Sequence, residues 1–190
     1  MRWAGLFDDL EGQWLAEERR ERDAEVADRT RAERAKIPLV ERYAASRGAT
    51  LTVTVRTGDV LMARLIDLGS DWLLLQDDAG HDLLVTAGSV VAVTGLSERS
   101  EPATTARRFG IGYALRGLSR DRATVIMADA SGARVTGTID GVGQDWCDIA
   151  EHPVDEPRRS GHVRARRTIP VQSLVWLRSA RPSVEEDRAF

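Results

Sequence analysis

The sequence contains one 18-residue stretch twice, as GDVLMARLIDLGSDWLLL at 58–75 and as GARVTGTIDGVGQDWCDI at 132–149. The copies align without a gap, and they share two glycines, an Asp-Trp pair and the spacing of their apolar residues. Such a match at a fixed distance, here 74 residues, indicates a duplicated structural unit. The two copies therefore decide the fold.

The repeat extends beyond this stretch. The same offset of 74 relates Ile37 to Ile111, so the segment that precedes each copy belongs to the repeat. The second copy then carries ten additional residues in a polar hairpin at 152–162, after which the offset is 84 and Val91 corresponds to Val175. Helix and strands were therefore duplicated together.

Each copy is predicted to hold five strands. Apolar residues alternate with threonine from Leu51 to Val55, the period of a half-buried strand, and glycine-rich or Asp-rich turns separate the later runs. Trp72–Gln76 is apolar almost throughout, which favours a strand buried on both faces. Short strands with short turns are typical of a small closed barrel. The predicted strands are 49–55, 60–67, 72–76, 81–85 and 89–94, then 123–128, 133–141, 146–151, 162–169 and 171–177.

The predicted fold class is mainly β with helices, in two barrel domains. A long amphipathic helix at 1–36 precedes a first barrel at 37–96, and a linker at 97–105 leads to a second barrel at 106–178. Each barrel is preceded by a short helix, and residues 179–190 are predicted to be a disordered tail.

The second copy carries Val135-Thr136-Gly137-Thr138-Ile139 on its second strand and Gly143-Gln144-Asp145-Trp146-Cys147 entering its third, with weaker counterparts in the first copy. These two motifs resemble those of the Sm-like proteins, a family that includes Sm, Lsm and Hfq. The resemblance implies two tandem five-stranded Sm-like (SH3-like) barrels. It also implies pairing of strand 4 with a neighbour's strand 5. Leu73 and Cys147 stand where RNA-binding members have a base-contacting asparagine, so no uracil pocket is carried over. The whole chain is also similar to actinobacterial proteins, some of them labelled transcriptional regulators.

The repeated Gly-x-Asp-Trp sequence has two interpretations. In the structural interpretation, glycine supplies a positive φ in a turn, aspartate accepts hydrogen bonds from amides of the turn, and tryptophan covers the end of a barrel. In the functional one, the indole is exposed and stacks on a nucleic-acid base. Turn chemistry accounts for every residue, so we expect the structural one.

The N-terminal helix carries its large apolar residues at one end. Trp3, Phe7, Leu10 and Trp14 fall at heptad spacing, and the sequence from 17 to 36 is mostly charged. This apolar end is predicted to fold back on a barrel, to pair with a second copy or to dock on another protein.

Charge is unevenly distributed. Residues 1–102 hold 13 basic and 19 acidic side chains, a net charge of −6, whereas residues 103–181 hold 13 and 8, a net charge of +5. This polarity suits either head-to-tail charge pairing or an acidic partner on the second half. The second alternative predicts a phosphate-binding set that consists of Arg158, Arg159, Arg164, Arg166 and Arg167.

Catalytic, metal and cofactor sites are not predicted. His152 and His162 lie in one loop with two carboxylates, but without the spacing of a known metal site. Cys147 is predicted to be a buried strand cysteine. The single cysteine, the charged N-terminus and the lack of a long apolar run favour a cytoplasmic protein without a membrane span.

Two functions remain open from the sequence. The first is a non-enzymatic interaction or assembly protein, which forms a homo-oligomer or binds a protein partner through strand edges and the N-terminal helix. The second is a regulator that binds RNA or DNA through the arginines of the second half.

Overall fold

The structure is a computed structural model, and it describes residues 2–102, 109–154 and 161–180, without the side chains of residues 2–12 and 16. The chain divides into two compact units, Met1–Leu39 and Val40–Phe190. The helices are α1 (Arg2–Arg34), α2 (Leu39–Ala44) and α3 (Ile111–Arg120). The strands of the first repeat are β1 (Thr50–Val55), β2 (Val60–Leu68), β3 (Trp72–Gln76), β4 (Asp82–Thr86) and β5 (Val90–Thr94). Those of the second repeat are β6 (Thr124–Asp129), β7 (Arg134–Val142), β8 (Trp146–Glu151), β9 (Ala165–Pro170) and β10 (Leu174–Ser179).

The first unit is almost entirely the predicted N-terminal helix. Along α1, oppositely charged side chains pair one turn apart, as in Arg22 with Glu18 at 2.8 Å and Arg20 with Glu17 at 2.9 Å. Both pairs are exposed, so each stabilises the helix by only about 0.3–0.5 kcal/mol. From residue 17 to residue 34, where side chains are described, the helix therefore depends on its propensity and on such pairs.

The second unit is built on one antiparallel sheet of ten strands. Its order is β5-β1-β2-β3-β4-β10-β6-β7-β8-β9, so each repeat contributes five consecutive positions. The expectation of two separately closed barrels is therefore wrong. The reason is that β4 pairs with β10, which joins the repeats into one open sheet whose edge strands are β5 and β9.

The two repeats bend at the same place. The register shifts between Leu65 and Asp67 in the β2–β3 pair and between Ile139 and Gly141 in the β7–β8 pair, positions that are 74 residues apart. A bulge increases the local twist and bends the strand that carries it. Each half of the sheet therefore curls over one of the two hydrophobic cores.

The central strands of the sheet contribute to both cores. Leu83 and Val85 of β4 are buried in the first core, whereas Leu84 between them is buried in the second. On β10, Val175 and Trp176 belong to the first core. Burial on both faces, expected for β3, is a property of β4, and Leu74 of β3 is only half-buried. Each core thus contains residues of the other repeat.

Candidate interaction surfaces

The junction between the repeats is a short strand pair reinforced by side chains. Trp176 is opposite Val85 and Arg178 is opposite Leu83. The Thr86 hydroxyl donates to the carbonyl of Leu174 at 2.9 Å, and the buried Ser89 hydroxyl contacts the carbonyl of Val175 at 3.1 Å. Because the carbonyls of Leu174 and Val175 accept hydrogen bonds from hydroxyl groups of the first repeat, this junction is a specific contact as well as an apolar one.

Asp59, in the turn before β2, makes an ionic contact at this junction. Its Oδ2 accepts the indole N–H of Trp176 at 2.8 Å, and its Oδ1 accepts Nη2 of Arg134 at 2.7 Å. The Arg134 guanidinium lies 5.4 Å from the centre of the Trp176 ring. The hydrogen bond from Trp176, with those from Thr57 and Arg134, holds the pKa of Asp59 below its ordinary value, although burial opposes the shift. One carboxylate therefore binds two residues of the other repeat.

The Gly-x-Asp-Trp turn of the first repeat is a second contact between the repeats. Asp71 Oδ1 accepts the amide of Ile111, the first residue of α3, at 2.7 Å. The carbonyl of Phe109 accepts both the indole N–H of Trp72 at 3.0 Å and the amide of Ser70 at 3.2 Å. This turn thus binds two backbone groups of the other repeat, the carbonyl of Phe109 and the N–H of Ile111.

The glycine in this motif has a different role from the one expected. Positive φ angles occur at other glycines, Gly58 and Gly132 among them, but not at Gly69 or Gly143. A Cβ at Gly69 would lie 2.1 Å from the Trp72 indole nitrogen, and one at Gly143 would lie 2.3 Å from the corresponding atom of Trp146. Glycine is needed because the indole packs directly on the backbone.

The second repeat forms the same turn without the same occupant. The amide of Gly143 donates to the carbonyl of Trp146 at 2.8 Å, as that of Gly69 does to Trp72 at 2.9 Å. The amide of Val171 donates to the carbonyl of Asp145 at 2.8 Å, as that of Ala87 does to Asp71. In the described part of the chain, no group accepts the Trp146 indole N–H, and that side chain is 40% exposed.

The β5 edge exposes residues whose counterparts are buried. Val91 is 67% exposed, whereas Val175, 84 positions later, is fully buried. Ala92 is exposed as well, whereas its counterpart Trp176 is buried. The difference arises because β4 covers β10, while β5 pairs only with β1 among the described strands. The apolar β5 edge thus has the features of a strand that lacks a neighbour.

The opposite edge, β9 with the residue that precedes it, holds the described members of the predicted arginine set. Arg164 and Arg166 are exposed, and Arg167 donates from Nε to Glu151 at 2.7 Å. Arg166 lines an open cleft of about 420 Å³ with Arg122, but Asp140 and Asp148 line it too. Arg158 and Arg159 lie outside the described residues. The described arginines therefore share their surface with carboxylates.

Comparison with family models and with curated proteins gives no relative. No family model and no curated protein matches the chain. Function is therefore argued from geometry. Among the described helices, none combines the length and apolar character needed to cross a bilayer.

The predicted helix contact is described only in part. Trp14 is 72% exposed, and Val26 further along α1 is exposed too. The side chains of Trp3, Phe7 and Leu10 lie outside the described residues. Within the part of α1 that has described side chains, large apolar groups therefore face solvent.

Two of the groups considered for chemistry, His152 and Cys147, are buried. The buried ring of His152 contacts the Thr138 hydroxyl through Nε2 at 2.8 Å and the Pro153 carbonyl through Nδ1 at 2.8 Å. Cys147 is buried as expected, and burial raises the pKa of its thiol to about 11. Among the His, Cys, Asp and Glu side chains that the structure describes, no three cluster as metal ligands would.

Sequence reasoning missed the residues that join the repeats. Asp59, Arg134 and Trp176 were not singled out, because their counterparts Ala133, Val60 and Ala92 share no chemistry with them. This difference between the two copies was the available signal, since residues that form a contact in only one copy are expected to be replaced in the other.

Proposed function

We propose that this chain is a non-enzymatic assembly protein that associates with further copies of itself through the free edges of its sheet. In this arrangement β5 of one copy accepts β9 of the next, and the N-terminal helix adds a second contact. The observation that carries the proposal is the internal β4–β10 pair. In the alignment of the two repeats, β4 corresponds to β9 and β10 corresponds to β5. The β4–β10 pair within the chain is therefore the equivalent of a β9–β5 pair between two chains.

The resemblance to Sm-like proteins supports the same conclusion. Each repeat has the strand order 5-1-2-3-4 when its strands are numbered from its own start, and a short helix precedes each. We therefore assign each repeat to an opened Sm-like unit. Pairing of strand 4 with a neighbour's strand 5 then occurs once within the chain and once between chains.

The edge residues favour such pairing on one side. Val91 and Ala92 of β5 are exposed apolar residues on an edge, where a partner strand would cover them. On β9, Arg166 and Arg167 would approach the first half of the next copy, and the acidic character of residues 1–102 favours that approach. Association between unlike surfaces is head-to-tail and gives a ring or an open filament.

The apolar end of α1 is assigned to the same task. A helix whose described side chains include exposed Trp14 and Val26 does not bury these groups within its own unit. Trp3, Phe7, Leu10 and Trp14 at heptad spacing suit pairing with the helix of a second copy or docking on a protein partner.

The test is the mass of the full chain in solution, measured by sedimentation velocity from about 1 to 300 μM, a range that covers weak and moderate protein association. We expect mass to rise with concentration. Placing charges on the β5 edge with Val91→Lys and Ala92→Lys should weaken association. Met62→Lys is the matched control, because Met62 is equally exposed but lies on β2, between two neighbouring strands.

Two results would contradict this proposal. One is a monomer over the whole concentration range. The other is salt-sensitive binding of labelled RNA or duplex DNA that depends on Arg164 and Arg166, which would favour the nucleic-acid-binding regulator instead. Removal of residues 1–16 separates the contribution of α1 from that of the strand edges, because only the helix contact should be lost.

A further inference from the structure

An open cleft in the second repeat is lined by charged residues of both signs. It lies between the end of α3 and the strands β7, β8 and β9, and its volume is about 420 Å³. The charged residues that line it are Arg122, Asp140, Asp148 and Arg166. We infer that this cleft binds a small zwitterion, an amino acid or a short peptide that carries both a carboxylate and an ammonium group. This site goes beyond the proposed self-association and does not depend on it.

The charges of this cleft are specific to the second repeat. Both repeats have the same strand order and the same bulge, so residues that the fold requires are expected in both copies. None of the four charged lining residues has a counterpart of the same charge in the first copy. The fold therefore forms without these charges, which leaves them for another role. The alignment and the strand registers place Gly48 at the position of Arg122, Ile66 at that of Asp140, Leu74 at that of Asp148 and Asp82 at that of Arg166.

Arg122 stands where a helix end usually has glycine. It follows Asp121, the C-terminal cap of α3, and its φ of 52° lies in the left-handed region. The counterpart Gly48 has a φ of 82°, and glycine adopts this region without steric cost. An arginine there is strained, and strain of this kind is typical of binding sites. The side chain of Arg122, rather than its backbone, therefore accounts for its presence.

The two guanidinium groups of the cleft are available to a ligand. Arg122 and Arg166 are exposed, and neither side chain forms an ion pair or a hydrogen bond within the described chain. The neighbouring Arg167, by contrast, donates to Glu151 at 2.7 Å. A guanidinium group binds a carboxylate through two parallel N–H donors, which fixes the orientation of the ligand as well as its position. The arginines therefore provide the site for the ligand carboxylate.

Asp148 supplies the opposite charge. Its Oδ1 accepts the Thr168 hydroxyl at 2.6 Å, which holds the carboxylate in place, and its Oδ2 has no partner among the described residues. The residue opposite Asp148 on β7 is Gly141, which also lines the cleft and presents no side chain. Oδ2 is therefore accessible to an ammonium donor from the ligand.

The balance of charge selects the class of ligand. Two arginines and two aspartates line the cleft, so its formal charge is zero. A phosphate dianion would approach the carboxylates as well as the arginines, and the repulsion would offset the attraction. A zwitterion brings a charge of the opposite sign to each kind of residue. The volume of about 420 Å³ is within the range of small-molecule sites, roughly 300–1,000 Å³.

Isothermal titration calorimetry on the full chain tests the site. The probes are the common amino acids and glycylglycine, with inorganic phosphate for comparison, and we expect at least one zwitterion to bind the wild type. Arg166→Gln and Asp148→Asn should each raise its dissociation constant about tenfold, the effect of one hydrogen bond to a charged group. Arg164→Gln is the matched control, because Arg164 is exposed two residues earlier but does not line the cleft.

Replacing Arg122 by glycine separates a ligand role from a structural one. Arg122→Gly introduces the residue of the first repeat, so it should raise the thermal unfolding midpoint while it weakens binding. A lower midpoint with unchanged binding would contradict the proposal. So would a wild type that binds none of the zwitterions, a probe that keeps its affinity in Arg166→Gln and Asp148→Asn, or binding of phosphate alone. A monomeric wild type would contradict the proposed self-association and would leave this test unchanged.

Discussion

Asp71 accepts the backbone amide of Ile111, forty positions further along the chain, at 2.7 Å. A carboxylate in a turn of one repeat thereby satisfies the first amide of a helix in the other. Capping bonds of this kind usually come from the residue that immediately precedes the helix. Here the residue at that position is Gly110, which makes no side-chain bond. Folding of α3 is therefore linked to the presence of the first repeat.

Removing this cap should destabilise the protein by about 1 kcal/mol, the usual cost of losing a helix cap. Asp71→Ala is the change, and urea denaturation at low protein concentration is the measurement. Asp145→Ala is the matched control, since it removes the corresponding carboxylate from a turn without an occupant in the described structure. Equal losses in the two variants would contradict a capping role that is specific to Asp71.

The two repeated glycines should tolerate alanine differently. Gly69→Ala should destabilise the fold by about 1–3 kcal/mol, because its methyl group would meet both the Trp72 indole and the Phe109 carbonyl, 2.4 Å away. Gly143→Ala should cost less, because the exposed Trp146 indole can move aside into solvent. Thermal unfolding of both variants measures the difference, and an equal or reversed effect would show that this turn is not held by its occupant.

The stability of the junction should depend on pH through Asp59. Its pKa is lowered in the folded state from an ordinary value of 3.8, so the stabilisation is complete above that value and is lost as pH falls through the lower, folded value. Comparing the wild type with Asp59→Asn isolates this contribution from that of Asp129, whose pKa is also lowered.

We expect the difference in unfolding free energy between these two proteins to be constant above about pH 5 and to shrink towards pH 3. Urea titrations at half-unit intervals of pH measure it. A difference that does not change with pH would mean that the charge of Asp59 is not what stabilises the contact with Trp176 and Arg134.

Cys147 should be unreactive in the folded protein. Its thiol is buried and has a pKa of about 11, so both access and the thiolate fraction are low at pH 8. Reaction with a chromogenic disulfide reagent is expected only at the rate of unfolding, and addition of urea should release one thiol at once. Rapid labelling without denaturant would show that β8 opens locally.

The sequence predicted the strands well because each carries its own signal. Alternation from Leu51 to Val55 and glycines in the turns fix the position of a strand locally, and β3 and β8 begin at the expected residues. Strand pairing between residues far apart in the chain, as between Val85 and Trp176, leaves no such local pattern. An apolar run such as Leu83-Leu84-Val85 predicts a strand that is buried on both faces, but it does not indicate that residues of the other repeat bury it.

The Asp-Trp turn was located correctly and interpreted incorrectly for a related reason. Turn chemistry within four residues was sufficient to explain Gly, Asp and Trp, so nothing indicated that Asp71 and Trp72 bind a distant helix start. The steric role of Gly69 depends on where the indole lies, and a side-chain rotamer cannot be read from composition.

A chain made of two similar halves can make an error that a single-unit protein cannot, because a half could pair with the wrong strand of a neighbouring chain while both are folding. The Asp59 contact acts against this error. The ion pair and the indole hydrogen bond form only where Asp59 meets Arg134 and Trp176. At the corresponding positions of the other repeat, Ala133 replaces Asp59, Val60 replaces Arg134 and Ala92 replaces Trp176, so neither bond can form there. One carboxylate thus distinguishes the β4–β10 pairing within the chain from a pairing at the edge strands β5 and β9.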